Sequence, residues 1–304
     1  MLAVLGPTAA GKSELAERIA IECSGEILSV DSMQVYRGLD IGTAKPDAAA
    51  QDRVRHHLID LVDPDVWLTV SEFQAIGRAT LAALEQRNIA AVISGGSGLH
   101  HRALVDPLTF APSDPAVRAE LEGVGSAALV AELLTADPAA AAHVDLANRR
   151  RVVRAVEILR LSGETPSRRA ATDERAALRR FEPLISHRTV GLDPGPALPD
   201  RVAVRFDVML AAGLLDEVAG LAGRLGRTAR QAVGYKELLP VVAGQRSLAE
   251  GRTAAIRATL ALAKRQRTFF RRDPRIRWIP WHDDPDVRWE RARAVLEEDR
   301  AWSS

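Results

Sequence analysis

The run Gly6-Pro7-Thr8-Ala9-Ala10-Gly11-Lys12-Ser13 matches G-x-x-x-x-G-K-[ST] without a gap. Glycines let successive backbone N–H groups turn inward, and such a concave row of donors binds phosphate oxygens. Lys12 adds a full positive charge. The Ser13 hydroxyl is the kind of hard oxygen that ligates Mg²⁺ beside a bound phosphate. The chemistry is that of a diphosphate or triphosphate site. A dinucleotide loop fits poorly, because the spacing G-x-G-x-x-G is absent.

A loop of this kind works between a buried strand and a helix. Leu2 to Leu5 predicts a short buried strand, and the stretch from about Gly11 to Cys23 predicts the helix. A second strand is expected from Glu26 to Val30, ending at Asp31. Ser71 to Arg87 has helical spacing through Phe73, Ile76, Ala79 and Leu84, and Ile89 to Ile93 predicts a third strand stopped by Ser94-Gly95-Gly96. Strands alternating with helices of this length imply a parallel sheet covered on both faces. From Pro112 to about Leu178 no strand-like run occurs, and Ala-rich helical segments break at Gly123, Gly125, Pro138, Gly163 and Pro166. Thr189 to Leu192 predicts a return to the sheet. Asp193 to Pro199 predicts a loop, Ala254 to Arg272 a long helix, and Trp278-Ile279 a last short strand. The expected class is therefore α/β, a P-loop NTPase-like parallel sheet flanked by helices, with an α-helical insertion domain. The expected divisions are 1–112, 113–182 and 183–304.

A phosphate loop does not say what becomes of the phosphate. An NTP hydrolase holds Mg²⁺ with a carboxylate at the end of another strand. The third strand ends Val92-Ile93-Ser94-Gly95-Gly96, without one. The acid at a strand end is Asp31. Strand C-termini border the ligand crevice of an open α/β sheet, so Asp31 is expected near the loop. It is there as a metal holder, a general base or an ordinary turn residue.

Composition narrows the class further. The 304 residues are 47% hydrophobic and 27% charged, enough apolar material for a real core. The 41 basic and 40 acidic residues nearly balance, so bulk charge does not announce a polyanion partner. Cys23 is the single cysteine, which rules out an intrachain disulfide and a cysteine-based zinc site and fits a reducing cytosol. The apolar N-terminal residues run straight into the loop with no basic leader, as a first strand does and a secretory signal does not. No run of about 18 apolar residues exists, so no membrane span is expected. The expectation is a cytoplasmic protein, and a monomer.

Taken together, GPTAAGKS (6–13), SVDSMQVYRGLDIGTAKP (29–46), HHLID (56–60), GGSGL (95–99), RRVVRAVEI (150–158), QAVGYKEL (231–238) and AKRQRTFFRR (263–272) resemble the bacterial tRNA dimethylallyltransferase family. The resemblance runs in order over nearly the whole chain. The phosphate loop alone is shared with many families; the 29–46 segment joined to the last two is specific. The resemblance implies transfer of a dimethylallyl group from dimethylallyl diphosphate to the N6 amine of the adenosine just 3′ of the anticodon, with release of pyrophosphate and help from Mg²⁺ at Ser13. It implies that Asp31 is the base, and that Lys12, Thr8 and Arg205 join residues Gly6, Pro7, Ala9, Ala10, Gly11 and Ser13 around the diphosphate. It also implies tRNA contacts at Asp31, Ser32, Met33 and Gln34, at Ser97 and Arg118, at Arg150, Arg151, Val152, Val153 and Arg154, and at Gln231, Ala232, Val233, Gly234, Tyr235 and Lys236. Within these, Ser32 or Gln34 is expected to meet an adenine edge, Tyr235 to stack and Lys236 to meet phosphate. Arg149 and the basic helix end of Lys264, Arg265, Arg267, Arg271 and Arg272 are further RNA-facing candidates.

Three positions depart from the family pattern: His100 where Tyr is usual, Leu146-Ala147-Asn148 before the arginine run, and Leu260 after Thr259, where Arg is usual and Arg257 is a conceivable substitute. A metal role for His100-His101 is not expected, since no third ligand stands at a suitable spacing. The rival readings are a small-molecule P-loop kinase, an adenylate isopentenyltransferase acting on a free nucleotide, and a non-catalytic RNA-binding module. The arginine-bearing insertion favours tRNA over a free nucleotide.

Overall fold

The computed structural model describes residues 1–301, with side chains through residue 298; the last three residues of the expected 183–304 segment lie outside the described residues. The chain forms two compact units, one of Met1–Val105 with the chain from Ile185 onward, the other of Asp106–Leu184. The helical unit thus begins ahead of residue 113 and ends just after residue 182.

The first unit opens with β1 (Leu2–Leu5), α1 (Lys12–Glu22), β2 (Glu26–Ser29), α2 (Ala48–Arg53), β3 (His56–His57), α3 (Val70–Gln86), β4 (Ala91–Gly95) and α4 (Gly98–Val105). The helical unit holds α5 (Pro115–Gly123), α6 (Ser126–Ala136), α7 (Arg149–Ser162), α8 (Pro166–Ala170) and α9 (Asp173–Arg180). The first unit resumes with β5 (Arg188–Gly191), α10 (Leu198–Ala211), α11 (Leu214–Leu221), α12 (Tyr235–Val242), α13 (Leu248–Phe270), β6 (Ile276–Trp278) and α14 (Pro285–Ala301). The short β3 and the helices α2 and α14 carry too little periodicity to be predicted, and α13 starts six residues before the expected Ala254.

All six strands are parallel, in the order β3-β2-β4-β1-β5-β6. Val4, Leu5, Leu28, Val92, Ile93 and Val190 are fully shielded from solvent. That is why the strand centres are apolar: a parallel sheet is covered on both faces. One face packs on Phe73, Leu84, Leu104 and Phe270, the other on Leu15, Ile19, Trp289 and Ala292. From β1 the chain crosses to β2 and β4 on one side and to β5 and β6 on the other. Connections diverge at the C-terminal end of β1, the point where such sheets open a ligand crevice.

Ordinary capping fixes the long helices. Thr69 with Glu72 begins α3, and Ser247 with Glu250 begins α13, each a reciprocal pair in which the hydroxyl accepts from the backbone and the carboxylate accepts in return. The helix α1 is different: Gly11 stands at its N-terminus in the left-handed region (φ 82°) and no side chain caps it. Its first-turn N–H groups receive no side-chain cap from Gly11, an arrangement that suits a bound anion. Among the described residues no helix is long and apolar enough to cross a membrane.

Candidate active site

The phosphate loop leaves β1 through Gly6, whose φ of 150° and tight surroundings admit no side chain. A Cβ there would lie 2.1 Å from the Leu192 carbonyl oxygen. The loop then closes on itself, with the Lys12 ammonium donating to the Pro7 carbonyl at 2.7 Å. Thr8, Ala9, Ala10, Gly11, Lys12 and Ser13 all line one cavity of about 300 Å³. Asp31 lines the same cavity, and so does Arg205 from α10. The carboxylate closing the second strand and the cationic cradle therefore share one space.

Asp31 is held in a turn. Its Oδ1 accepts from the N–H groups of Met33 at 2.8 Å and Gln34 at 3.4 Å. Among the described residues no hydrogen bond engages Oδ2. Arg205 is likewise without a hydrogen-bonding partner there, although it stands deep enough that burial lowers its affinity for a proton. The nearby Asp31 acts in the opposite sense, and Arg201 adds to the lowering. Arginine stays charged regardless. Lys12 is more responsive. Burial and the neighbouring Arg205 bring its pKa down to about 7, against the pull of Asp31. The cradle thus combines one fixed guanidinium with one ammonium that titrates near neutrality.

A second cavity of about 100 Å³ shares Thr8, Ala9, Asp31, Thr43, Arg205 and Gln266 with the first. Its other walls are mostly apolar, from Met33, Val202, Phe206, Met209, Val233 and Leu262. A polar cradle therefore continues into a small hydrophobic recess with the carboxylate at their junction.

His100 stands on α4 and shares a 2.7 Å hydrogen bond with the Ser97 hydroxyl. Its ring meets Phe73 edge-on, with centroids 4.5 Å apart. Burial lowers its pKa to about 4, opposed by the charge of Asp31, so it is neutral at pH 7. The imidazole keeps an aromatic contact and a polar one where the family pattern has Tyr. Leu260 fills an apolar niche beneath Ala9, with Val202 and Ala263. Arg257 is exposed on α13.

Several expected contacts are redirected. Tyr235 is fully buried, and its hydroxyl donates to Glu217, so it cannot stack on a base. Glu217 in turn accepts from the N–H groups of Asp40, Ile41 and Gly42 at 2.8–3.1 Å, which pins the loop after β2. No spacing rule singles out Glu217; its role exists only once α11 meets that loop. Gln34 is also committed internally. Its oxygen accepts from Ser29 at 2.7 Å and its amide donates to the Thr43 and Ala44 carbonyls at 3.1 Å. Of the two residues expected at an adenine edge, Ser32 is the one left partly exposed without such internal bonds among the described residues. Ala232 is buried as cavity wall and Gly234 is buried behind it, whereas Gln231 and Lys236 are exposed and hydrogen-bonded to each other at 2.9 Å. At the C-terminal end of α13, Arg267 and Arg271 hold Asp193 at 2.7 and 3.1 Å, whereas Lys264, Arg265 and Arg272 are exposed and take no part in that pairing.

Gln266, within the AKRQRTFFRR segment, is a site residue that its sequence context does not reveal. Its Oε1 accepts from the Thr8 N–H at 2.9 Å. One of the loop's own donors is thus occupied by the protein.

In the helical unit the arginines divide into two sets. Glu157 is fully buried and accepts from Arg118 at 2.6 Å, Arg154 at 2.8 Å and Ser113 at 3.0 Å. These bonds hold its carboxyl below the usual range against the opposing effect of burial. Arg154 also donates to the Ala111 and Pro112 carbonyls, both at 2.8 Å. Arg118 and Arg154 therefore organise the unit as well as edging its surface. Val152 and Val153 belong to the core with Leu121, Leu129 and Leu133, so their side chains do not reach RNA. Arg150 and Arg151 are exposed and, with Arg154, Arg169, Arg175 and His143, line a groove of about 660 Å³. Arg169 and Arg175 add to the cationic lining that the arginine run alone predicts. Removing the buried carboxylate should leave two guanidiniums uncompensated. Glu157→Ala is expected to destabilise this unit by about 3 kcal/mol, seen as faster amide exchange across residues 106–184 with exchange at the phosphate loop unchanged.

These geometries can be set beside known proteins. The IPP transferase family model matches residues 34–273. The chain is 42% identical over 287 residues to the tRNA dimethylallyltransferase of Streptomyces coelicolor, covering 92% of this chain and 89% of that one. It is 41% identical over 315 residues to the enzyme of the same name from Moorella thermoacetica, covering 98% and 94%. Among solved structures, the full-length tRNA isopentenylpyrophosphate transferase of Bacillus halodurans superposes with a TM-score of 0.70 at 34% identity, covering 99% of this chain and 98% of that one. With a family model over most of its length and relatives above 40% identity along nearly all of it, this chain belongs to the IPP transferase family.

Proposed function

We propose that the protein transfers the dimethylallyl group of dimethylallyl diphosphate to the N6 amine of the adenosine immediately 3′ of the anticodon, position 37, in tRNAs reading codons that begin with U. The observation that carries this reading is the shared cavity. A diphosphate cradle, an apolar recess of five-carbon size and an acceptor carboxylate meet in one place. The recess of about 100 Å³, with Met33, Val202, Phe206, Met209 and Leu262 on its apolar side, is close in volume to a branched five-carbon chain.

In this reading the extruded adenine presents N6 to the first carbon of the dimethylallyl group. The C–N bond forms, the C–O bond to the diphosphate breaks, and pyrophosphate leaves with the electron pair. Asp31 Oδ2 takes the N6 proton, since Oδ1 is already engaged by two backbone N–H groups. Neutral His100 leaves that carboxylate without a competing imidazolium. Lys12, Arg205 and the loop N–H groups stabilise the charge that accumulates on the leaving oxygens. Ser13 lines the cavity beside them. Among the described residues no cluster of three or more His, Cys, Asp or Glu forms a metal cage. Mg²⁺ needs none, because it is commonly held by one or two protein oxygens with substrate phosphates and water. Ser13 would hold it here, and it would supply further neutralisation of the diphosphate. The protein acts as a monomer in the cytoplasm, with the exposed arginines of the helical unit, Gln231 and Lys236 meeting the anticodon stem-loop.

The direct test is mass analysis of nucleosides from unmodified tRNA incubated with protein, Mg²⁺ and dimethylallyl diphosphate. N6-dimethylallyladenosine at a single anticodon-loop position supports the reading. ATP-dependent phosphorylation of a small acceptor, with no prenylated nucleoside, refutes it.

The lowered Lys12 pKa adds a pH signature. Burial favours the neutral amine in the empty site, and a bound diphosphate favours the charged form. Donor binding therefore takes up a proton at pH values above about 7. Affinity should fall as pH rises from 7 toward 9, by at most about tenfold per unit. Calorimetric titration at pH 8 in two buffers of different ionisation enthalpy should register uptake approaching one proton. A dissociation constant unchanged from pH 7 to 9 would contradict it.

A further inference from the structure

The donors of the phosphate loop are aimed from outside. Arg201 Nε donates to the Ala9 carbonyl at 2.9 Å, and Trp281 Nε1 donates to the Ala10 carbonyl at 3.2 Å. A peptide unit is planar and trans, so a carbonyl and the following N–H point in opposite directions. Fixing the Ala9 and Ala10 oxygens on the outer side therefore turns the N–H groups of Ala10 and Gly11 toward the cavity that both residues line. Ala9 needs such support, because it holds φ at 61°, a region that non-glycine residues rarely occupy.

The two donors form one assembly. The Arg201 guanidinium lies over the Trp281 ring, 4.8 Å from its centroid, and stands 3.6 Å from Asp283. Arg288 is 3% exposed and fixes the same segment from behind, donating to the carbonyls of His282 and Asp283 and to Glu14, all at 2.7 Å. Its guanidinium also walls Gly11: a Cβ there would meet it at 3.3 Å. Trp281 and Arg288 lie beyond the residues that the family model matches. Arg201 stands one helical turn before Arg205, so α10 presents one arginine to the back of the loop and another to the cavity.

We propose that Trp281 and Arg201 are positioning residues for the donor diphosphate: a brace from α10 and the C-terminal segment that presets the Ala10 and Gly11 N–H groups for phosphate oxygens. This rests on the reading of the loop as the donor's cradle. An unbraced loop must be ordered by the ligand itself, and that ordering weakens binding. The brace touches neither Asp31 nor the tRNA-facing arginines, so its loss falls on the donor alone.

The experiment compares the full-length wild type with Trp281→Phe, Arg201→Ala and Arg201→Lys. Trp281→Phe keeps an aromatic ring beneath Arg201 and removes only the N–H. The readouts are calorimetric binding of inorganic pyrophosphate with Mg²⁺, the KM for dimethylallyl diphosphate, kcat at saturating donor, and tRNA affinity by filter binding. Loss of one such hydrogen bond should weaken pyrophosphate binding and raise the donor KM about fivefold. Arg201→Ala should do so by about tenfold, and Arg201→Lys should recover most of that, because an ammonium can still donate to the Ala9 carbonyl. tRNA affinity should stay within about twofold, and kcat at saturating donor should fall by no more than the donor KM rises, because the same N–H groups hold the oxygens of the leaving group. Pyrophosphate affinity equal to wild type in both Trp281→Phe and Arg201→Ala overturns the brace. Donor and tRNA affinities falling together with the melting temperature overturn it as well, since that marks a general structural role. A wild type that itself fails to bind pyrophosphate would instead remove the cradle reading, and the brace with it.

Discussion

Replacing Asp31 with Asn is expected to slow dimethylallyl transfer by roughly 100- to 10,000-fold while leaving tRNA affinity within a few-fold of wild type. The amine of adenine is a poor nucleophile, because its lone pair is delocalised into the ring, and its proton must depart as the new bond forms. Asn keeps the size of the side chain, and its carbonyl oxygen can still accept from the Met33 and Gln34 N–H groups that hold Asp31 Oδ1. The turn should survive, and the shape of the cavity with it. What disappears is the oxygen free to take a proton. Single-turnover rates with saturating tRNA and donor isolate that step, and filter binding monitors tRNA separately. A rate within tenfold of wild type would remove Asp31 from the role of base. A matching collapse of tRNA affinity would reassign it to RNA binding.

Arg205→Ala is expected to cost roughly 100- to 1,000-fold in kcat/KM for the donor, again with tRNA affinity little changed. Arg205 lines both the cradle and the apolar recess, and it has no hydrogen-bonding partner among the described residues. It therefore enters the reaction with its donors available and its charge already desolvated. Charge on the departing oxygens is greater in the transition state than in the bound substrate, so this guanidinium should act there more strongly. Arg205→Lys should recover only part of the loss, because a single ammonium cannot reproduce a planar fork on two phosphate oxygens. Steady-state kinetics with each substrate varied in turn separates the cases. A loss confined to the KM for tRNA would place Arg205 on the RNA instead.

Both predictions depend on residues far apart in the chain, which is where the sequence and the fold part company. The loop Gly6–Ser13 is legible because its chemistry and its spacing are both local: glycines, a lysine and a hydroxyl must follow one another directly. The strands that became β1, β2 and β4 are legible for a related reason, since a strand buried on both faces leaves a mostly apolar run, whereas β5 is signalled only by the short stretch from Thr189 to Leu192. The helical character of residues 112–178 follows from alanine and leucine content with no strand-like run between the breakers. The pair His56-His57 joins the sheet as β3 without such a signature, because two residues carry no period.

Roles decided by partners were not legible in this way. Tyr235 looks like a stacking residue beside Lys236, yet α12 turns it into the core against Glu217. Val152 and Val153 sit among arginines in the chain but face Leu121 and Leu129 in space. Glu157 looks like one more surface charge, and only helix packing makes it the buried carboxylate between Arg118 and Arg154. Gln266, Arg201 and Trp281 reach the phosphate loop across separations of 258, 192 and 271 residues.

The sequence alone determined that the protein carries an anion cradle, a carboxylate after the next strand in the chain and a helical insertion, because each is written in contiguous residues. The tertiary structure decided which side chains face that cradle, which are consumed in supporting it, and that its carbonyls are held from behind. Hydrogen bonds and burial between distant segments come into being only when the sheet assembles and the helices pack on it.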